Sequence, residues 1–562
     1  MVTKEFISYL NSLHNYNAQN ENAYAENNID NKFYQEVMVE MKICDYIKKE
    51  LCSSDQRVLV LTGQAGDGKT SIMVQVLKSF DFVLNATKRE ETITLPDGRE
   101  CVCIKDFSEL SDDEKTKVLS RVVELPQQGK FAFIVANTGP LITTFTSLFN
   151  DHDERVQAEI DLINCIDEND GKVRTISSKG YKLQTINIAE LDNTYFAKEF
   201  LNKIISNHLW ADCENCKSHN YCIICKNRNL ILKNKTKTED FIDKYYIWLA
   251  SHGKRLTIRS ITEHISYMIT GGFDCQTVRP QNAYAYLYPN LFFGYVGLNE
   301  DINANNITGI RAGKNYHFDS KRLRSDEDLL INKDYEHIFS NEEAEIVKNA
   351  AMANFDVDGS NEMLRRFYFF MNNKVGDAEL RDIEDIFSKH FWEYFKVTRK
   401  HGYPDASDKP LVLNALSMIY DGVIKDNNIP ITLSRETGIT QNVQLVVDII
   451  DKTNMRIDTD NISGHIFDPE HSPRIMYIKL NGKRLDVELT LPLMDYFEEL
   501  KNGIIDTDID PQLSQGIEKL KSEISSVINQ NDDPDCLKIA ISKSSGLDVK
   551  TLEFHNDKVD CG

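Results

Sequence analysis

The sequence predicts an α/β protein built on a mostly parallel sheet, and three observations lead there. Short apolar runs alternate with helical patterns, the first run ends in a turn crowded with glycine, and later runs end in polar residues. The first run is Val58–Leu61, in "VLVLTGQAGDGKTSIM". Four successive apolar residues suit a strand buried on both faces. Gly63, Gly66 and Gly68 follow, and glycine lets a backbone wrap closely around an anion. From Lys69 on, "KTSIMVQVLKSF" reads as a helix with Ile72, Val76 and Leu77 on one face. Its N-terminus turns N–H groups and partial positive charge back into the loop.

The spacing Gly63-x4-Gly68-Lys69-Thr70 fits the phosphate-loop pattern G-x-x-x-x-G-K-[ST]. Residues Gly63, Gln64, Ala65, Gly66, Asp67, Gly68, Lys69, Thr70 and Ser71 would then cradle ATP. Lys69 would reach the β- and γ-phosphates, and the Thr70 hydroxyl would ligate Mg²⁺. The fold class narrows accordingly to a P-loop NTPase.

The remaining elements follow in order. "FYQEVMVEMKICDYIKKEL" reads as one helix, with Val37, Met41 and Cys44 on a face. After the loop helix come a strand at "DFVLN" and a hairpin at "TITLPDGRE" turning at Asp97-Gly98. "CVCIKDFSEL" ends in acid, "KFAFIVANTGPL" ends at Asn137, and "YKLQTINIAEL" closes the series. A hydrolytic site needs an acid on the Mg²⁺ shell and a group that orients water. Asp106 is the candidate for the first and Glu109 for the second, although acids at strand ends also serve as turn formers. Asn137 stands where ligands bind a parallel sheet, and a plain loop asparagine fits equally.

"RLTIRSITEHISYMITGG" reads as a lid helix, apolar at Ile261, Ile265 and Met268 and closed by Gly271-Gly272. Arg259 near its start is the phosphate-sensing candidate and Arg255 its rival; a solvated helix arginine is the plainer reading. Before it, Cys213-x2-Cys216-x5-Cys222-x2-Cys225 supplies four thiolates within reach of one structural Zn²⁺. His219 is an alternative ligand, and an iron–sulfur cluster or unliganded thiols are the competing readings. Arg365, Arg366, Lys396, Arg399 and Lys400, set among aromatics, read either as a basic nucleic-acid patch or as the polar side of amphipathic helices. Toward the C-terminus an Asn481-Gly482 hairpin and a helix at "GIEKLKSEISSVIN" are expected.

The chain has 562 residues, enough for about two to four domains. The segments read as a polar lead-in (1–31), a P-loop core (32–210), a four-cysteine zinc element (211–230), a helical lid (231–275), a helical region (276–405) and an α+β C-terminal domain (406–562). A formal charge of −22 argues against indiscriminate coating of nucleic acid, and leaves contact through a local groove or a partner. The apolar runs fall short of a membrane span, "MVTKEFISYL" lacks a secretory core, and the scattered cysteines suit a reducing compartment. A cytoplasmic protein without membrane contact is expected.

Together "GQAGDGKT", "VCIKDFSEL", "IVANTGPL", the cysteine pairs followed by "NRNLIL", "RLTIRSITEHISYMITGG" and "YLYPNLFFG" resemble bacterial P-loop ATPases with AAA-like features. They are similar to the DptF-type ATPase subunit of DNA phosphorothioation-dependent restriction systems. The resemblance implies an oligomeric ATPase working with partner restriction subunits on DNA that lacks the phosphorothioate mark, touching DNA through the complex. It gives Asn137 the place of a water-positioning sensor and Arg259 that of a second sensor. It makes Arg155 and Arg174 candidates for an arginine finger in a neighbouring subunit. Two other classes remain: a nucleotide-dependent sensor or oligomerisation switch of another antiphage system, and a scaffold that holds nucleotide without turnover.

Overall fold

The structure is a computed structural model describing residues 2–16, 31–84, 88–277, 283–373, 382, 386–422, 424, 428–432, 442–504, 509–528, 536–543, 546–555 and 558–561. The chain forms two compact units, Met1–Ile386 with Ser463–Ser472, and Phe387–Ile462 with Pro473–Gly562.

In the first unit the order is α1 (Val2–Ser12), α2 (Lys32–Val37), α3 (Ile43–Leu51), β1 (Val58–Thr62), α4 (Lys69–Lys78), β2 (Glu90–Thr94), β3 (Glu100–Ile104), α5 (Asp112–Val122) and β4 (Phe131–Val135). Then come α6 (Thr138–Thr146), α7 (His152–Glu168), β5 (Arg174–Ile176), β6 (Tyr181–Asn187), α8 (Phe196–Ile204), α9 (Ile223–Lys233), α10 (Lys235–Ser251) and α11 (Ile258–Thr270). Among the described residues the sheet runs β2-β3-β4-β1-β6-β5. β3, β4, β1 and β6 are parallel, and the edge strands β2 and β5 are antiparallel to their neighbours.

All five residues of β1 are buried, as its unbroken apolar run requires. Leu59 and Leu61 pack with α3 and α4, while Val58 and Val60 pack with α5, α6 and α7. The chain leaving β1 therefore turns to one face and the chain leaving β4 turns to the other. Diverging connections of adjacent parallel strands open a crevice at their C-terminal ends.

Several local expectations are corrected. The single helix expected from Phe33 to Leu51 is two helices, α2 and α3. Between them the Gln75 side chain donates to the Val39 carbonyl at 2.9 Å and accepts from the Met41 N–H at 3.0 Å. Those bonds satisfy a backbone that has left the helix. No strand forms at "DFVLN": Asp81 is left-handed at φ 59°, and the Phe82 N–H closes α4 by donating to Leu77 at 3.0 Å. Asn85 lies outside the described residues. The hairpin does turn at Asp97-Gly98, and its second arm is β3 itself. The lead-in begins as an ordered helix, α1, with Phe6, Ile7 and Leu10 buried and Phe6 set edge-on to Trp210.

Arg365 and Arg366 do not form a surface patch. Both are buried in helix Ser360–Met371, where Arg365 pairs with Asp326 at 2.9 Å and the Arg366 Nε lies 3.4 Å from Asp319. Nearby, a short ribbon joins β7 (Tyr295–Val296) to β8 (Asn299–Glu300).

The second unit contains β9 (Ile429–Thr432), β10 (Val443–Ile450), β11 (Met455–Asn461), β12 (Arg474–Leu480), β13 (Lys483–Glu488), β14 (Cys536–Lys543), β15 (Gly546–His555) and β16 (Lys558–Cys561). These form antiparallel sheets β16-β15-β14-β10-β9 and β11-β12-β13. β12 and β13 turn at Asn481-Gly482, both at positive φ, as the hairpin signal requires. Among the described residues, no helix is long and apolar enough to cross a membrane.

The segment Ser463–Ser472 belongs to the first unit, where Phe467 is buried against Tyr46 with ring centroids 4.8 Å apart. The His471 ring stacks on Tyr195 at 3.8 Å, and its Nδ1 lies 3.0 Å from Asp468. That hydrogen bond raises the imidazole above its ordinary range. A group raised in this way contributes fully below the usual histidine pKa and loses that contribution as pH rises past the lifted one. Proteolytic protection of 463–472 is therefore expected to be greater at pH 6 than at pH 8, and Asp468→Asn is expected to flatten the difference.

Candidate functional site

The loop from β1 to α4 sets the geometry. Gly66 and Gly68 hold φ of 90° and 85°, a region that side chains rarely enter. The first backbone bond of α4 runs from Ile72 N to Gly68 O at 2.9 Å. The N-terminus of α4 thus faces the loop, as an anion receptor requires. Lys69 curls back, its Nζ donating to the carbonyls of Gln64 at 2.6 Å and Gly63 at 3.2 Å. Neutral carbonyls are weaker partners for an ammonium than an anionic oxygen is.

Around that loop the C-terminal ends of β3 and β4 add polar groups. The Thr70 hydroxyl donates to Asp106 Oδ1 at 3.3 Å. Asp106 is left-handed at φ 54°. Burial, and next the charge of Glu109, push its carboxyl above the usual aspartate range. The Asn137 N–H donates to the Ser108 hydroxyl at 2.7 Å, tying the two strand ends together. Asn137 occupies the N-cap of α6 but makes no side-chain capping bond, and it lines the cavity instead.

Lys69, Asp106, Glu109, Asn137 and Arg259 all line one cavity, with Ala65, Gly66, Gly68, Thr70 and Ser71 beside them. Gly63, Gln64 and Asp67 shape the loop from outside that lining. The two arginines of the α11 region separate. Arg259 lines the cavity, whereas Arg255 is ion-paired to the buried Asp67 at 2.9 Å.

The cavity also has an apolar lining. Leu13, Val37, Met38, Phe196 and Phe200 form it with Tyr9 and Tyr34, and the Tyr34 hydroxyl donates to Ser71 at 2.7 Å. None of these was read as a site residue from the sequence. They come from α1 and the turn after it, α2, the link that follows α2, and α8, and no shared motif marks them. Ser108 was missed too; its only sequence signal was its position between Asp106 and Glu109.

Arg155 donates to the Phe149 carbonyl at 3.1 Å, and Arg174 pairs with Asp170 at 2.7 Å and with Glu168. Neither lines the cavity within this chain.

The cysteine pairs sit where helix Asn207–Cys213 leads into α9. Cys222 is the N-cap of α9, Cys225 lies in its first turn, and His219 Nδ1 is 3.6 Å from the Cys225 sulfur. A hydrogen bond from Cys213 lowers the Cys225 thiol and raises the Cys213 thiol. Cys216 is exposed. Among the described residues, no group of three or more His, Cys, Asp or Glu side chains is arranged to hold a metal ion. Cys213, Cys225 and His219 are therefore neighbours without a closed four-thiolate shell.

Comparisons with protein-family models, with curated proteins and with solved structures each gave no match. The chemistry of the site rests on its own residues.

A Cβ on Gly66 would stand 3.1 Å from both the Arg259 Cβ and the Thr257 hydroxyl, in a backbone conformation that alanine resists. Gly66→Ala is expected to destabilise the protein by about 1–3 kcal/mol. Urea unfolding measures this, and an unchanged midpoint would contradict the loop geometry.

Proposed function

We propose that this chain is a P-loop, AAA-like ATPase that binds Mg²⁺·ATP at the β1–α4 loop and hydrolyses it. The observation that carries the reading is the shape and chemistry of one cavity. Its lining joins the cationic, amide-rich loop and the acids beside Thr70 to a set of apolar and aromatic side chains. Such a lining suits a nucleotide, which carries both a polyanion and a flat, largely apolar base.

Each residue then has a role. Lys69 exchanges the Gly63 and Gln64 carbonyls for the β- and γ-phosphate oxygens. Thr70 and Asp106 would hold Mg²⁺, which supplies charge neutralisation at the phosphates. Asn137, its amide not used for capping, and Glu109 are placed to orient a water, and Arg259 offers positive charge to the transferred group.

The resemblance to DptF-type subunits supports the finer reading. This ATPase would power or license a bacterial restriction complex acting on DNA without phosphorothioate, as an oligomer with partner subunits. The formal charge of −22 argues against indiscriminate coating of DNA by this chain, which accords with contact through those partners. Arg155 or Arg174 could complete a neighbour's site only after leaving its present partner. The alternative is a nucleotide-driven oligomerisation switch of another antiphage system. A mass change on adding ATP, without DNA-stimulated turnover, favours that alternative.

Structural Zn²⁺ on Cys213, Cys216, Cys222 and Cys225 is a separate proposal. Thiolates and imidazole are the donor types zinc selects, and the His219 Nδ1 lies 3.6 Å from the Cys225 sulfur. The arrangement described above does not itself close around an ion, and no catalytic step is assigned to one.

Lys69→Ala is expected to lower ATP turnover by about 10²-fold or more while leaving the circular-dichroism melt unchanged. Wild-type turnover in that variant would refute the hydrolytic reading. Elemental analysis of fresh protein is expected to find about one zinc per chain, and Cys225→Ser is expected to lose it. Metal-free wild-type protein would refute the zinc proposal.

A further inference from the structure

Asp67 poses an electrostatic problem. Its side chain is fully buried within a loop whose proposed ligand is a polyanion. An uncompensated carboxylate there would be costly to bury and would repel phosphate. Arg255 Nη1 meets Asp67 Oδ1 at 2.9 Å, and Asp67 Oδ2 accepts the Gln64 N–H at 2.9 Å. The same guanidinium donates to the Ile188 carbonyl at 3.1 Å and the Leu191 carbonyl at 3.4 Å, beyond the end of β6. One side chain thus joins the loop, the chain leaving β6 and the approach to α11.

A second set of contacts runs alongside. The Arg259 N–H donates to the Gly66 carbonyl at 3.0 Å. A Cβ on Gly68 would come within 3.1 Å of Ile258 Cδ1, so the first turn of α11 lies directly on the loop.

We propose that the Arg255–Asp67 pair is a weld that fixes the start of α11 to the loop, making Arg255 a positioning residue that holds Arg259 on the cavity. The inference rests on the nucleotide reading above and assigns the two arginines different work. Arg255 cancels the buried charge and sets geometry, while Arg259 faces the ligand. The start of α11 is then a fixed wall of the site.

The test is a double-mutant cycle on ATP affinity, measured by calorimetry with the full chain and Mg²⁺. The backgrounds are wild type and Asp67→Asn/Arg255→Gln, which leaves no buried charge unpaired and keeps an amide hydrogen bond available. Arg259→Gln is expected to weaken ATP binding about tenfold in the wild-type background and less than about threefold in the neutral one. Arg255→Gln alone, which strands the Asp67 charge, is expected to weaken ATP and ADP alike by about tenfold or more. Equal costs of Arg259→Gln in both backgrounds would overturn the weld while leaving the nucleotide site standing, as would a wild-type background indifferent to Arg259→Gln. A wild-type chain that binds no ATP would remove the nucleotide reading itself, and the weld with it.

Discussion

A strand buried on both faces must hand its chain to a helix without side chains filling the turn, and at Thr62 that constraint organises the first unit. The turn can be this open only because Gly66 and Gly68 hold positive φ. Its proposed role as an anion receptor rests on α4, which begins immediately after it and aims its N-terminus back into the turn. The rest of the site is arranged around that opening. β4 lies between β1 and β3, so Asn137 stands next to the loop and Asp106 one strand further on, where Thr70 still reaches it.

Charge is managed in the same economical way. The chain is strongly acidic, and four carboxylates of its first unit are each paired with an arginine: Asp67 with Arg255, Asp326 with Arg365, Asp319 with Arg366, and Glu50 with Arg57. Buried pairs of this kind add little net stability but make the loss of either partner expensive. They hold geometry more than they add energy. In the loop, that geometry would let a carboxylate coexist with the proposed phosphate site.

What could be read from sequence was what contiguous residues build. The loop, its helix, Asp106, Asn137, the Asp97-Gly98 and Asn481-Gly482 turns and the α11 face each depend on local spacing, and each has a local signal. The strand order was not legible, because nothing in "KFAFIV" says that it inserts between β1 and β3. Nor was the apolar lining of the cavity, which draws Tyr9, Tyr34 and Phe196 from separate segments. The helix expected across Phe33–Leu51 failed for a similar reason. Gln75, more than thirty residues later, supplies the bonds that let the backbone open at Val39. Arg365 and Arg366 looked like surface charge because their partners lie some forty residues upstream. The four cysteines show the opposite limit: their spacing is a strong local signal, but it does not by itself close a shell in space.

The central claim is that the β1–α4 loop receives a triphosphate and that the apolar lining of the same cavity receives its base. A crystal structure of the chain with Mg²⁺ and a non-hydrolysable ATP analogue tests it most directly. The account predicts phosphates on the N–H groups at the start of α4, Lys69 Nζ moved from the Gly63 and Gln64 carbonyls to the β- and γ-oxygens, and the base between Tyr34 and Phe196. An analogue bound elsewhere, or a loop left empty with Lys69 still on its own carbonyls at saturating analogue, would contradict it.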